Sequence, residues 1–216
     1  AEAAALFCRT YGVTAGGNWE GHNILVRPER GVLSRPEAVE AGRVALLGHR
    51  NARVRPGLDD KVLTEWNALM VSSLAEAAAA TDRTDWAEAA VGCAEFLLAE
   101  LRTPSGRWLR AWQDGVGGRH LAYAQDHAAL VDAFVRLHEL TGEARWVSEA
   151  AATAESLVEL FWDRDGRSFW TTGSDAEELV TRPRDLQDNA TPSAQSVAAV
   201  ALLRLAPLAD RPGDVE

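Results

Sequence analysis

Apolar residues recur along this chain at the spacing of buried helix faces. Over 59–81, Leu63, Trp66, Met70, Leu74 and Ala77 fall at three- and four-residue steps, which predicts an amphipathic helix of about five turns. The pattern returns at an offset of sixty. Met70 aligns with Leu130, Leu74 with Phe134, Ala77 with Leu137 and Thr81 with Thr141. A second helix in each copy aligns in the same way: Trp86 with Trp146, Ala90 with Ala150, Cys93 with Thr153, Leu97 with Leu157 and Leu101 with Phe161. Gly106-Arg107 then meets Gly166-Arg167. Two matched tryptophans and a matched Gly-Arg point to a true internal repeat.

Capping and breaking residues complete the list of elements. Residues 1–11 read as a helix ended at Gly12, and 23–27 as a short extended strand stopped by Pro28. Ser34 caps a helix to about Arg50, and a Pro-Gly linker follows. Asp85 caps the helix over 86–102, with Glu88 completing a capping box. The Gly-rich stretch 103–119 reads as extended chain with a hairpin. Helices follow over 123–141, with Gly142 just beyond, and over 144–162. Short strands are expected at 169–172 and 179–181, and a last helix over 193–206 closed by Pro207.

Each unit is thus two helices joined by a very short turn, then a long Gly- and Trp-bearing return. Short turns force the pair antiparallel, and the return makes all first helices parallel. The first helices carry small residues on several faces (SSLAEAAAA, VAAVALL), so they form an inner layer. The second helices keep charged faces and lie outside. The fold class that results is all-α, a partial α/α toroid of antiparallel hairpins with short β-hairpin or extended connections. It forms one incomplete domain over 1–216: a preceding helix, loop and linker (1–60), hairpin units (61–122 and 123–187) and the start of a third (188–216). Trp86 and Trp146 should then occupy equivalent places between the layers. Val197, Val200 and Leu203 should lie on an open edge, exposed or covered by another chain, with self-association through that edge as one outcome.

Composition narrows the function. A hydrophobic fraction of 47% with eight Trp in 216 residues supports a real core. The net charge of −10 argues against nucleic acid or an anionic membrane surface as partner. No run of about eighteen apolar residues would span a bilayer, and there is no signal peptide. The chain opens inside a helix without an initiator Met, so a piece of a longer, cytoplasmic protein is expected. Cys8 and Cys93 fit no zinc or redox spacing.

Three segments, GVTAGGNWEGHNIL, DDKVLTEWNALM and NATPSAQSVAAVALLRL, resemble the thioredoxin-domain-containing proteins related to the spermatogenesis-associated protein. The resemblance covers nearly the whole chain. It implies a thioredoxin-like domain outside this sequence and an (α/α)6 toroid similar to six-hairpin glycosidases and N-acylglucosamine 2-epimerase. About half of the six hairpins would lie here. The sequence departs from the family pattern at Gln125-Asp126-His127-Ala128, where Asp-Asp-Tyr-Ala is common. It departs again at Pro192-Ser193-Ala194-Gln195-Ser196, where the family has Asn before the last Ser.

The candidate chemistry sits at the starts of the inner helices, where loops and positive helix ends converge. Glu65-Trp66-Asn67, Gln125-Asp126-His127 and Ser193-Ala194-Gln195 occupy equivalent first turns. Asn67, His127 and Gln195 offer polar groups to a sugar-sized polyol, and Trp66, Trp108, Trp112, Tyr123 and Trp170 offer faces for stacking. The alternative is that Asn67 and Gln195 satisfy backbone groups at helix starts. Asp126 and His127 are the pair suited to proton transfer, unless Asp126 is a cap. Glu65, Trp66, Asn67, Trp112, Tyr123, Asp188 and Gln195 are the expected ligand contacts. Asp59, Asp60 and Asp185 should make the pocket acidic and suited to a neutral or cationic ligand. His138 reads as structural, and His22, His49 and His120 receive no assignment. No cofactor, metal-ligand spacing, phosphate loop or nucleophile elbow is present. A carbohydrate-active enzyme, hydrolase or epimerase-isomerase, and a non-catalytic binding or scaffolding domain both fit.

Overall fold

The computed structural model describes residues 2–29, 31 and 34–209. The chain divides between Asp59 and Asp60 into two compact units.

In the first unit, α1 (Glu2–Thr10) ends at Gly12, whose φ of +66° lies in the left-handed region. α2 (Glu37–Asn51) begins after Pro36 without a side-chain cap, so Ser34 does not serve as one. Residues 23–27 form no strand. The Asn18 amide takes both backbone groups of Ile24, accepting from its N–H at 2.8 Å and donating to its carbonyl at 2.7 Å. Those are the groups a ladder partner would need.

The second unit holds the hairpins. α3 (Thr64–Thr81) and α4 (Thr84–Glu100) are joined through Asp82, at φ +52°, and α5 (Ala124–Thr141) and α6 (Ala144–Phe161) through Gly142, at φ +71°. Between the pairs, β2 (Leu109–Gln113) and β3 (Gly117–Leu121) form the expected hairpin. β1 (Val62–Leu63) adds to it, with Val62 opposite Trp112 and Leu63 opposite Ala111. The second return carries a smaller ladder, β4 (Trp162–Asp163) with β5 (Ser168–Phe169). Residues 179–181 form no strand, and Val180 stands fully exposed. α7 (Ala194–Ala209) opens the third unit and runs through Pro207 in its last turn instead of stopping there.

α5 is the central element. Eleven of its eighteen residues are buried, which requires neighbours on several sides: α3, α6 and α7. The stripes of the outer helices match at the sixty-residue offset. α4 buries Ala90, Ala94 and Leu97, and α6 buries Ala150, Ala154 and Leu157. The inner helix α3 buries its small-residue face, Ala68, Val71, Ser72, Ala75 and Ala78, and leaves Trp66 and Met70 more than half exposed. Close approach of two inner helices needs small side chains between them, so the bulky stripe turns to the open edge. At the other edge Val200 and Leu203 are exposed, while Val197 packs on the core.

One cap differs from expectation. α4 starts at Thr84, with Arg83 in the N-cap position. Asp85 lies inside the first turn, where its carboxylate takes the Arg83 guanidinium at 2.7 and 2.6 Å, so no Asp85–Glu88 capping box forms.

Candidate functional site

The starts of α3 and α5 lie side by side, held by one carboxylate. Asp126 is completely buried. Its Oδ1 accepts the Glu65 N–H of α3 at 3.0 Å, and its Oδ2 accepts the Tyr123 N–H at 2.7 Å and Arg110 Nη1 at 3.0 Å. It therefore caps its own helix and its neighbour at once. Burial pushes its pKa up against the opposing pull of Arg110 and the two amides.

Arg110 comes from β2 and lies over the Tyr123 ring, 4.5 Å from its centroid. The same Nη1 stands 3.8 Å from Glu65 Oε2. Glu65 is 8% exposed. Burial raises its pKa, with Asp126 and Asp185 adding to the rise and Arg110 opposing it. Thr64, just before it, ties α3 to β2 through a 2.6 Å bond to the Leu109 carbonyl.

His127 belongs to a separate network. It is fully buried against Phe161. Arg107 Nη1 lies 3.2 Å from Nε2, and the Tyr123 carbonyl lies 2.9 Å from Nδ1. Arg107 can only donate, so Nε2 accepts and Nδ1 carries the proton. Burial, with Arg107 nearby, lowers the imidazole pKa to about 4. Asn67 plays the matching part in α3, donating to the carbonyl of Leu63 at 2.8 Å. Both side chains thus serve a carbonyl four residues back. Gln195 donates to the Phe169 carbonyl at 3.0 Å.

A cleft of about 590 Å³ opens beside this cluster. Arg110, His120 and Tyr123 line one side, and Thr172, Glu177 and Leu179 the other. Arg110 is the link, since it lines the cleft and touches both Asp126 and Glu65. The structure brings together Glu65, Tyr123 and Asp126 from the expected set. Trp66 is exposed at the same helix start. Others are placed elsewhere. Trp112 packs edge-on to Phe96 and donates to Glu100 at 3.1 Å. Trp108 is buried and bonded to Thr153, and Trp170 lies under Arg182 and Arg184. Asp188 accepts the Ser193 N–H at 2.9 Å before α7, and Asp60 accepts from Gln113.

Arg110, His120 and Glu177 were not legible as site residues. They lie in the irregular returns, where no periodicity marks which side chains converge. His120 carries one local sign, a φ of +58° at a strand position, uncommon for a residue with a side chain. Among the described residues no group of three or more His, Cys, Asp or Glu could hold a metal ion, and no helix is long and apolar enough to cross a membrane.

No family model matches the chain. It is 33% identical over 176 residues to human spermatogenesis-associated protein 20, a match covering 77% of this chain and 22% of that protein. The mouse protein of the same name is 35% identical over 182 residues, covering 78% and 23%. The chain is related to spermatogenesis-associated protein 20. It spans under a quarter of the length of these two relatives. Among solved structures, cellobiose 2-epimerase from Spirochaeta thermophila superposes with a TM-score of 0.52 at 18% identity, covering 69% of this chain and 38% of the epimerase. A glycoside hydrolase family 76 mannosidase from Bacteroides thetaiotaomicron superposes with a TM-score of 0.51 at 13% identity, covering 74% and 42%. At these identities the likeness is one of fold, the α/α toroid.

Proposed function

We propose that this chain supplies a carbohydrate-facing cleft to an α/α toroid, with Glu65 as its proton-handling group. The observation that carries the reading is the state of that carboxyl. Glu65 is nearly buried, its pKa is raised, and its nearest cation stands at 3.8 Å, beyond a hydrogen bond. A carboxyl that holds its proton more tightly than an ordinary glutamate suits general-acid transfer to a glycosidic or hydroxyl oxygen. Arg110, 3.8 Å away, would offset charge as that proton leaves. Asp126 and His127 then act as positioning groups: Asp126 fixes Arg110 and both helix starts, and His127 fixes Arg107. The solved toroids of like fold include an epimerase and a mannosidase, which supports a sugar as ligand class. Arg110 already pairs with Asp126 at 3.0 Å and Glu177 also lines the cleft, so a neutral polyol suits the site better than a phosphorylated one. No metal or cofactor enters this reading.

The test is Glu65→Gln in the full-length protein, assayed on cellobiose, manno-oligosaccharides and aryl glycosides. Turnover should fall by about 10²–10⁴-fold with sugar affinity nearly unchanged. Turnover that survives the substitution removes Glu65 from the chemistry. The second reading, a non-catalytic binding domain, rests on the complete enclosure of Asp126 and His127. Sugar binding without turnover of any panel member would select it.

A further inference from the structure

The cleft's far side is a closed strap. Its base is pinned where Thr171 N–H donates to the Pro183 carbonyl at 2.9 Å and Arg182 Nε donates to the Thr172 carbonyl at 2.9 Å. Arg182 and the Ser174 N–H also both reach the Leu160 carbonyl at the end of α6. Beyond that base the strap is tied by Asp175. Arg107 donates to its carboxylate through Nε at 2.8 Å and Nη2 at 3.2 Å.

Arg107 is itself immobilised. Its side chain is 12% exposed, lies over Phe161, and donates to His127 and to the Ala122 carbonyl. The latch therefore anchors the strap to the buried start of α5. Gly173 makes room for it, because a Cβ there would overlap the Asp175 carboxylate and crowd the Arg107 guanidinium. Past the latch the strap offers the cleft two side chains of different kinds, Glu177 and Leu179. Leu179 is 45% exposed and Val180 beside it is fully exposed, an apolar tip with nothing yet to cover.

We propose that residues 173–179 form a ligand-binding strap positioned by the Arg107–Asp175 latch, with Glu177 accepting from adjacent sugar hydroxyls and Leu179 covering a C–H face of the ring. This inference rests on the reading of the cleft as a sugar site. A carboxylate beside an apolar surface matches the two faces of a pyranose, hydroxyls at the rim and C–H groups on the flat. Arg107 and Asp175 are positioning residues, while Glu177 and Leu179 are contacts.

The test uses the full-length protein, with cellobiose and mannobiose as probes. Hydrogen exchange of 173–181 is read without ligand in wild type, Asp175→Asn and Gly173→Ala. Both variants should exchange faster there by about tenfold, with the melting temperature nearly unchanged. Glu177→Gln should leave that exchange alone and weaken probe binding about tenfold, the size of one charge-assisted hydrogen bond. Leu179→Ala should weaken it by several-fold. If the latch variants leave strap exchange unchanged, Asp175 does not position the strap. Probes binding wild type, Glu177→Gln and Leu179→Ala equally would overturn the strap while leaving the cleft reading intact. Failure of both probes to bind wild type overturns the two together.

Discussion

Adjacent residues at the start of α5 do different work because each side chain meets a different arginine. Asp126 is held by Arg110 from β2, and His127 by Arg107 from the chain before it. Enclosure gives His127 a pH signature. The folded imidazole takes a proton only near pH 4, whereas in the unfolded chain it does so near 6.5. Between those values the unfolded state binds more protons, so stability falls as the pH drops through that window. The loss amounts to roughly 3 kcal/mol. Glu65 acts in the opposite sense: its raised pKa contributes stability that is present below the ordinary glutamate value and lost as pH rises through the folded one. Urea unfolding of wild type and His127→Gln between pH 4 and 7 separates the two groups. The variant should show a flatter acid limb, and parallel profiles would clear His127 of the effect.

At the scale of elements, the sixty-residue repeat reproduces register but not burial. Trp86 and Trp146 share a stripe position. Trp146 is fully buried and stacks on Phe134 of α5 at 5.8 Å, while Trp86 is half-buried under the Arg83 guanidinium at 4.4 Å. The repeat-equivalent of Phe134 is the smaller, partly buried Leu74, so the first hairpin encloses its tryptophan less. Trp146→Ala should therefore cost roughly 3–5 kcal/mol and Trp86→Ala roughly 1 kcal/mol or less. Equal losses in paired denaturant melts would mean that the two hairpins are packed alike after all. Sequence showed the stripes of α4 and α6 well, because their period is local. It misjudged which side of α3 is buried, since Trp66 and Met70 look like core until α5 claims the alanine face.

For the whole molecule, the open edges matter most. α3 bares Trp66 and Met70, and α7 bares Val200 and Leu203. Large apolar side chains at both ends of an inner-helix layer call for a covering surface. We propose that in this chain by itself a second copy provides it. Light scattering on a sizing column should then show association, and Val200→Glu combined with Leu203→Glu should abolish it without lowering the melting temperature. A chain that is monomeric before the change, at every concentration up to the crystallisation range, would refute self-association.

The hairpin repeat and the all-α toroid class were set by the sequence, through periodicities and short turns that act over a few residues. Tertiary structure decided which polar side chains are engaged and how far they are exposed. Asp126, a plausible acid in isolation, has both oxygens occupied by donors 61, 3 and 16 residues away along the chain, whereas the nearly buried Glu65 carboxyl has its nearest cation at 3.8 Å. Arg110, Arg107 and Asp175 come from the aperiodic returns. Their convergence depends on how the returns fold over the helix ends, and no local pattern encodes that.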